Sequence, residues 1–293
     1  MYNNNIIKSI CYKFFNLLPD KLFIQLKFFK NFHRFPNLKN PKTFNEKIQW
    51  LKLYDHKPEY TKLVDKYEVK KIVANLIGEE YIIPTLGVWN SADEIDFDTL
   101  PNQFVLKATH DSGRVIICKD KSKLDKEWAK REMAKSLKRD FYALTREWPY
   151  RNVPRRIIAE AFIEDPSGDL KDYKFFCFNG KPKYFKVDFE RFIFHRANLY
   201  DLNWNMLPFE ETAYPCDTNR KHSKPINFDK MIKLVNVLAQ PYTLIRIDLY
   251  NTNGKIYFGE ITFYPNSGMV KINPIEEDYR LGDMLELPQT KIL

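Results

Sequence analysis

Two tight-turn signatures, Asn179-Gly180-Lys181 and Asn251-Thr252-Asn253-Gly254, sit between runs of aromatic and β-branched residues. Asn-Gly in that setting is the strongest short-range hairpin signal, because both residues accept the positive φ that a tight turn requires. The first turn predicts strands over 172–178 and 182–189, and the second over 243–250 and 255–263. Two antiparallel hairpins exclude a doubly wound parallel sheet, in which strands alternate singly with helices.

The rest of the chain reads as α+β. Thr43 followed by Glu46 has the spacing of a capping box, opening a helix over 44–54. An amphipathic helix is expected over 61–77, stopped by Gly78. An extended segment over 81–88 contains Pro84. Strands over 103–109 and 114–119 flank the small polar loop His110-Asp111-Ser112-Gly113. A long charged helix is expected over 124–145, a strand over 156–164 before the turn Asp165-Pro166-Ser167-Gly168-Asp169, and a helix over 228–238. Four regions follow: a basic helical segment (1–42), a helical region (43–100), a small sheet region (101–164) and a larger one (165–293).

Charge is uneven. The chain nets +9, yet residues 1–42 hold eight basic residues and one acid, leaving +2 for the other 251. A near-neutral body with a cationic front end is not the pattern of a nucleic-acid binder. The 23 Phe and 17 Tyr read as core and sheet packing. Cys11, Cys118, Cys177 and Cys216 form neither a zinc spacing nor a disulfide framework, which favours a reducing compartment such as the cytoplasm. No run reaches the roughly 20 apolar residues of a membrane span, and the N-terminus lacks a signal-peptide layout. Ile6, Ile7, Ile10, Phe14, Leu17 and Leu18, then Leu22, Phe23, Leu26 and Phe29, have helical spacing with lysines between them. Residues 6–30 read either as a helical pair packed on the body or as a contact with an anionic membrane surface.

Glu260 lies inside an apolar strand, where a carboxylate needs a partner. Across the hairpin stands Asp248, and two adjacent carboxylates repel unless something cationic compensates. Arg246, two residues before Asp248, is one option. Mg²⁺ held by these carboxylates and nucleotide phosphates is the other. Lys107, at a strand end before the polar loop, suits a phosphate grip. Glu160 sits in another apolar strand, and Asp172 and Lys174 open the next on alternate positions. Asp96-Phe97-Asp98 has the form of a glycosyltransferase metal motif but reads better as a solvated turn.

In order, Asp65-Lys66, VLKATHDSG, DYKFFCFNGKP, RIDLY and FGEITFYPNSG resemble the TupA-like ATP-grasp family of bacterial surface-polysaccharide clusters, from about residue 36 to 288. The resemblance implies an ATP-grasp fold, with two α+β subdomains of antiparallel sheets enclosing ATP. It implies phosphate contact by Lys107, closure of the loop carrying His110, Ser112 and Gly113, and an adenine hinge over Glu160–Ile163 that includes Phe162. It also implies Asp172 near the ribose, Lys174 near the nucleotide or second substrate, Mg²⁺ on Asp248 and Glu260, and Arg246 at the transferred phosphoryl group. The family commonly carries Glu-x-Asn at the metal, and here Thr262 stands third. Asn266 is the candidate for the missing amide oxygen, with water as the alternative. The implied reaction joins a carboxylate, such as a uronic acid of a glycan or lipid-linked sugar, to an amine through an acyl phosphate. A glycosyltransferase and a kinase on the same fold are the alternatives. Arg191, His195 and Arg196 read either as contacts for an anionic sugar or as part of a solvated linker.

Overall fold

The computed structural model describes residues 17–191 and 193–293. The helical expectation over residues 6–16, and Cys11 with it, lies outside them. Helices α1 (Asp20–Phe32), α2 (Phe44–Tyr54), α3 (Glu59–Val64) and α4 (Glu68–Ile77) lead into strand β1 (Thr85–Trp89). Strands β2 (Phe104–Ala108) and β3 (Val115–Cys118), helices α5 (Lys126–Lys138) and α6 (Phe141–Thr145), and strand β4 (Ile157–Ala161) follow. The second half runs through β5 (Asp172–Phe178), β6 (Lys181–Phe189), β7 (Arg196–Asp201), β8 (Glu210–Glu211) and α7 (Phe228–Ala239). It ends with β9 (Leu244–Thr252), β10 (Lys255–Thr262), β11 (Ile272–Asn273) and α8 (Ile275–Met284).

Among the described residues the strands form a small sheet ordered β1-β4-β2-β3, a large sheet ordered β10-β9-β5-β6-β7, and the pair β11-β8. Every pairing in them is antiparallel. One face of the large sheet is apolar. Phe175, Phe185, Ile247 and Leu249 are fully buried there, in a core completed by Phe228, Met231 and Val235 of α7. Burying side chains of this size contributes roughly 1.5–3 kcal/mol each, before the entropy of ordering them. The small sheet has its own core, in which Phe104, Leu106, Ile157 and Ala159 meet Ala129 and Met133 of α5. The charged face of the large sheet and the outer face of the small one border a shared cavity.

The capping box at Thr43 is present in both directions. Two expected helices are each broken in two. Residues 61–77 split at 65–67 because the Asp65 carboxylate accepts from the Tyr67 N–H at 2.9 Å and from Arg156 at 2.7 Å. Residues 124–145 split at Arg139, because Asp140 caps a new helix by accepting from the Ala143 N–H at 2.8 Å. The strand expected over 156–164 ends at Ala161, and 162–164 cross from one sheet to the other. Strand β7 and helix α8 lack an amphipathic pattern clear enough to foresee. Ala197, Leu199 and Tyr200 of β7 are buried on both faces, and α8 is acid-rich, with Leu281 its fully buried apolar residue.

Candidate active site

Register builds the site. In the large sheet Lys174 pairs with Asp248 on one side and with Lys186 on the other, and Asp172 pairs with Tyr250 and Asp188. Alternation then puts Asp172, Lys174, Lys186, Asp188, Arg246 and Asp248 on one face. Like charges directly opposite are unfavourable, and diagonal contacts compensate. Lys174 lies 2.6 Å from both Asp172 and Asp248, and 3.9 Å from Asp188. Lys186 lies 2.6 Å from Glu211, and Arg191 lies 3.1 Å from Asp172.

Glu260 reaches this face through a bulge. From the turn, Lys255, Ile256, Tyr257 and Phe258 pair regularly with Thr252, Asn251, Tyr250 and Leu249. Continued without a break, that register would set Gly259 against Asp248 and turn Glu260 into the core. Instead Gly259 is the extra residue, and Glu260 pairs with Asp248 and Thr262 with Arg246. The burial pattern records the shift: Ile256 and Phe258 face the core before the bulge, Ile261 and Phe263 after it. A Cβ at Gly259 would lie 3.0 Å from the Asp248 carbonyl oxygen and 3.2 Å from the Tyr250 ring. The position therefore needs a residue without a side chain.

The Arg246 guanidinium holds the two carboxylates. Its Nε and Nη2 donate to Asp248 at 2.7 and 2.8 Å, and Nη2 also donates to Glu260 at 2.9 Å. Burial would raise Glu260, but Lys66, Arg246, Lys174 and Lys107 hold it at about 2. Burial carries Asp248 the other way, to about 6, against the pull of Arg246 and Lys174. Burial likewise opposes the charge on Lys174, yet Asp172 and Asp248 keep it well above the ordinary lysine range.

The small sheet supplies the opposite wall. Val105 pairs with Glu160, so Lys107, two residues on, shares that face. The Glu160 carboxylate is bridged by Lys70 at 2.6 Å and Lys107 at 2.5 Å. These lysines outweigh the burial that would raise it and keep Glu160 below its ordinary range. The loop 110–114 is clasped from behind. Arg139 donates to Asp111 and to the Ser112 carbonyl, each at 2.9 Å, and Lys66 donates to the Asp111 carbonyl at 2.6 Å. The resulting cavity of about 680 Å³ is lined by both sheets, by this loop and by the crossing segment Phe162–Glu164.

Most of the residues anticipated from sequence border this cavity: Lys107, Ser112, Gly113, Glu160, Phe162, Ile163, Asp172, Lys174, Arg246, Glu260 and Asn266. Two do not. His110 is buried, with Nε2 against the Arg139 carbonyl at 3.2 Å, so its ring faces the clasp rather than the cavity. Asp248 is 1% exposed and lies beneath Lys174 and Arg246. Asn266 donates its amide N–H to Glu211 at 3.0 Å. Asp96 and Asp98 lie far from these residues, with Asp98 exposed and paired to Lys126 at 2.8 Å. Arg196 turns away to Asp217 at 2.6 Å.

Among the described residues no three His, Cys, Asp or Glu side chains form a metal cluster. The fit to Mg²⁺ rests on the carboxylate pair. Oxygens of Asp248 and Glu260 already converge on one cationic atom, Nη2 of Arg246. Asp248 and Glu260 would hold a hard divalent ion, whose charge would neutralise that of nucleotide phosphates.

The TupA-like ATPgrasp family matches residues 46–286 of the chain. The chain belongs to that family. It has the ATP-grasp fold. Among solved structures it is similar to a D-alanine–D-alanine ligase from Bacillus anthracis, at 16% identity and TM-score 0.42, with 76% of this chain and 65% of that one covered. It is also similar to the D-cycloserine synthetase DcsG, at 15% identity and TM-score 0.41, covering 77% and 71%. An L-amino acid ligase from Bacillus licheniformis follows at 12% identity and TM-score 0.42, covering 70% and 42%. This chain thus spans a little under two thirds of the D-alanine ligase it matches. Among curated proteins none matches.

Sequence reasoning missed several charged residues of this ATP-grasp cavity. Lys186 and Asp188 carried a usable signal, since they alternate on the strand that the first hairpin sets against Lys174 and Asp172. Lys70, behind the cavity wall, reaches Glu160 from α4, 90 positions away in sequence. Glu147 and Tyr150 come from an irregular segment with no local pattern.

Proposed function

We propose that this ATP-grasp enzyme is an ATP- and Mg²⁺-dependent carboxylate–amine ligase of bacterial surface-polysaccharide assembly, joining an amino acid or other amine to a uronic acid. The observation that carries the reading is Glu260 meeting Lys66, Lys107, Lys174 and Arg246 around one cavity, with Asp248 paired to Arg246 and Lys174 just behind the wall. When bound, Mg²⁺ on Asp248 and Glu260 would neutralise phosphate charge. The chain's own cations add to this. Arg246 and Lys174 stand where negative charge would grow on a transferred phosphoryl group, and fixed cations at that place lower the barrier. Lys107 can turn to a phosphate without stranding Glu160, because Lys70 keeps that carboxylate paired. The crossing segment 162–164 offers backbone groups to an adenine at the other end of the cavity.

The test is calorimetric titration with ATP, with and without Mg²⁺, for the wild type and Glu260→Gln. Mg²⁺-dependent binding that is lost in the variant supports the site. Absent ATP binding together with tight binding of a nucleotide sugar overturns it in favour of a glycosyltransferase.

We also propose a membrane contact for the front end. Among the described residues no helix is long and apolar enough to cross a membrane. On α1, Phe23, Ile24 and Phe28 face the body, while Leu22, Leu26 and Phe29 form an exposed stripe. Lys21 and Lys30 are exposed beside it, whereas Lys27 turns inward and donates to the Leu144 carbonyl at 2.7 Å. An apolar stripe flanked by lysines suits an anionic bilayer surface. Replacing Leu22, Leu26 and Phe29 by Ser should reduce co-sedimentation with anionic liposomes, and unchanged binding would remove the idea.

A further inference from the structure

The buried carboxylates on the cavity wall are Asp111, Glu147, Glu160, Asp172 and Asp188. Four of them are ion-paired: Asp111 with Arg139, Glu160 with Lys70 and Lys107, Asp172 with Lys174 and Arg191, and Asp188 with Lys174 and Lys186. Glu147 is the exception. It is 3% exposed, and among the described residues no cationic nitrogen lies within ion-pairing distance of it. Ser267 hydrogen-bonds the carboxylate, and Lys52, Lys27 and Arg246 act on it from beyond ion-pairing distance, the Lys52 ammonium itself being taken up by Gln49 and by the Ser267 hydroxyl and carbonyl. A buried carboxylate with no direct ion pair is costly. One that borders a ligand cavity has a place for a cation delivered by the ligand.

The surroundings narrow that cation. Thr145, Tyr150, Tyr264 and Ser267 line the same cavity beside Glu147: its N–H donates to the Thr145 hydroxyl at 3.2 Å, Ser267 hydrogen-bonds its carboxylate, and Tyr150 and Tyr264 lie within its electrostatic reach. Hydroxyl groups and aromatic rings around one carboxylate suit an organic ammonium better than a metal ion, which would want more oxygen anions. Tyr150 and Glu147 both lie within electrostatic reach of Arg246. That links this end to the Asp248–Glu260 centre.

We infer that the cavity end around Glu147 is the amine subsite, with Glu147 binding the substrate's ammonium group. This rests on the ligase reading above. The chemistry balances there. The ammonium gives one proton to Glu147, and the freed nitrogen lone pair attacks the acyl carbon of the acyl phosphate. The C–O bond to phosphate breaks, and the second proton leaves with the phosphate. Burial raises Glu147 to about 6 against the pull of Lys52, which suits a proton acceptor at neutral pH.

The probes are three compounds that carry an ammonium group and their analogues with hydroxyl in its place: ethanolamine with ethylene glycol, glucosamine with glucose, and alanine with lactate. Each is titrated calorimetrically into the protein saturated with ADP and Mg²⁺. At least one amine should bind about tenfold or more tightly than its hydroxyl analogue, a difference of about 1.4 kcal/mol. That preference should vanish in Glu147→Gln, whose folding is checked by its own ADP titration, and return in part in Glu147→Asp. No amine preference in the wild type, or a preference that survives in Glu147→Gln, overturns the inference alone. Failure of ADP and Mg²⁺ to bind the wild type overturns the ligase reading, and the inference with it.

Discussion

Replacing Gly259 tests the feature that aims Glu260 at the cavity. A valine places its Cβ 3.0 Å from the Asp248 carbonyl oxygen and 3.2 Å from the Tyr250 ring, with further methyl groups beyond. Overpacking of this kind costs roughly 1–3 kcal/mol. The strain can be relieved by moving the bulge, but a one-residue slip turns Glu260 into the core and Ile261 onto the charged face. Gly259→Val should therefore lower the urea midpoint and weaken Mg²⁺-dependent ATP binding by more than about tenfold, the equivalent of 1.4 kcal/mol. Deleting Gly259 is the informative contrast. It removes the extra residue while leaving Glu260 opposite Asp248 and Phe258 opposite Leu249, so it should retain more binding than the valine variant. Wild-type binding by Gly259→Val, or a deletion that binds worse than it, would refute the register argument.

Other consequences follow from the charged face. Lys186→Met leaves Glu211 and Asp188 short of a buried partner and should cost about 3–5 kcal/mol in urea unfolding. A compensating Glu211→Gln should recover part of that loss. Glu260 is depressed from 4.5 to about 2, so its contribution to stability is present above pH 4.5 and disappears as pH falls toward 2. Asp248 is raised from 3.8 to about 6, so its contribution has the opposite sign and fades as pH rises through that window. Urea midpoints against pH should thus lose the acid limb in Glu260→Gln and flatten between pH 4 and 6 in Asp248→Asn. Thr43→Ala removes one arm of the capping box and should lower stability by about 0.5–2 kcal/mol in thermal unfolding.

Legibility tracked the range of the interaction. The hairpin turns, the capping box at Thr43 and the alternating strands are local, and their residues carry the signal themselves. The Lys174–Asp248 contact spans 74 positions: alternation sets the face of each residue on its own strand, but only the pairing of β5 with β9 brings the two together. The helix breaks at Asp65 and Asp140 were harder. In each, an aspartate that could sit on a helix surface caps the chain instead, and Asp65 does so while bound to Arg156, 91 residues away. His110 shows the converse, a polar loop residue that faces inward because Arg139 clasps the loop from behind.

The sequence by itself determined that the chain is α+β with antiparallel hairpins, that its charge is concentrated at the front, and that Arg246, Asp248 and Glu260 share one face of a hairpin. Periodicity and turn chemistry act over a few residues, and the order of the motifs does the rest. The tertiary structure decided which way Glu260 points, that Asp248 lies beneath Arg246 rather than on the wall, and that Glu147 is left without a direct ion pair. The bulge at Gly259 depends on the close approach of β9. The exposure of Asp248 depends on side chains packed above it, and the isolation of Glu147 on where Lys52 spends its hydrogen bonds. None of these is a property of a short stretch of chain.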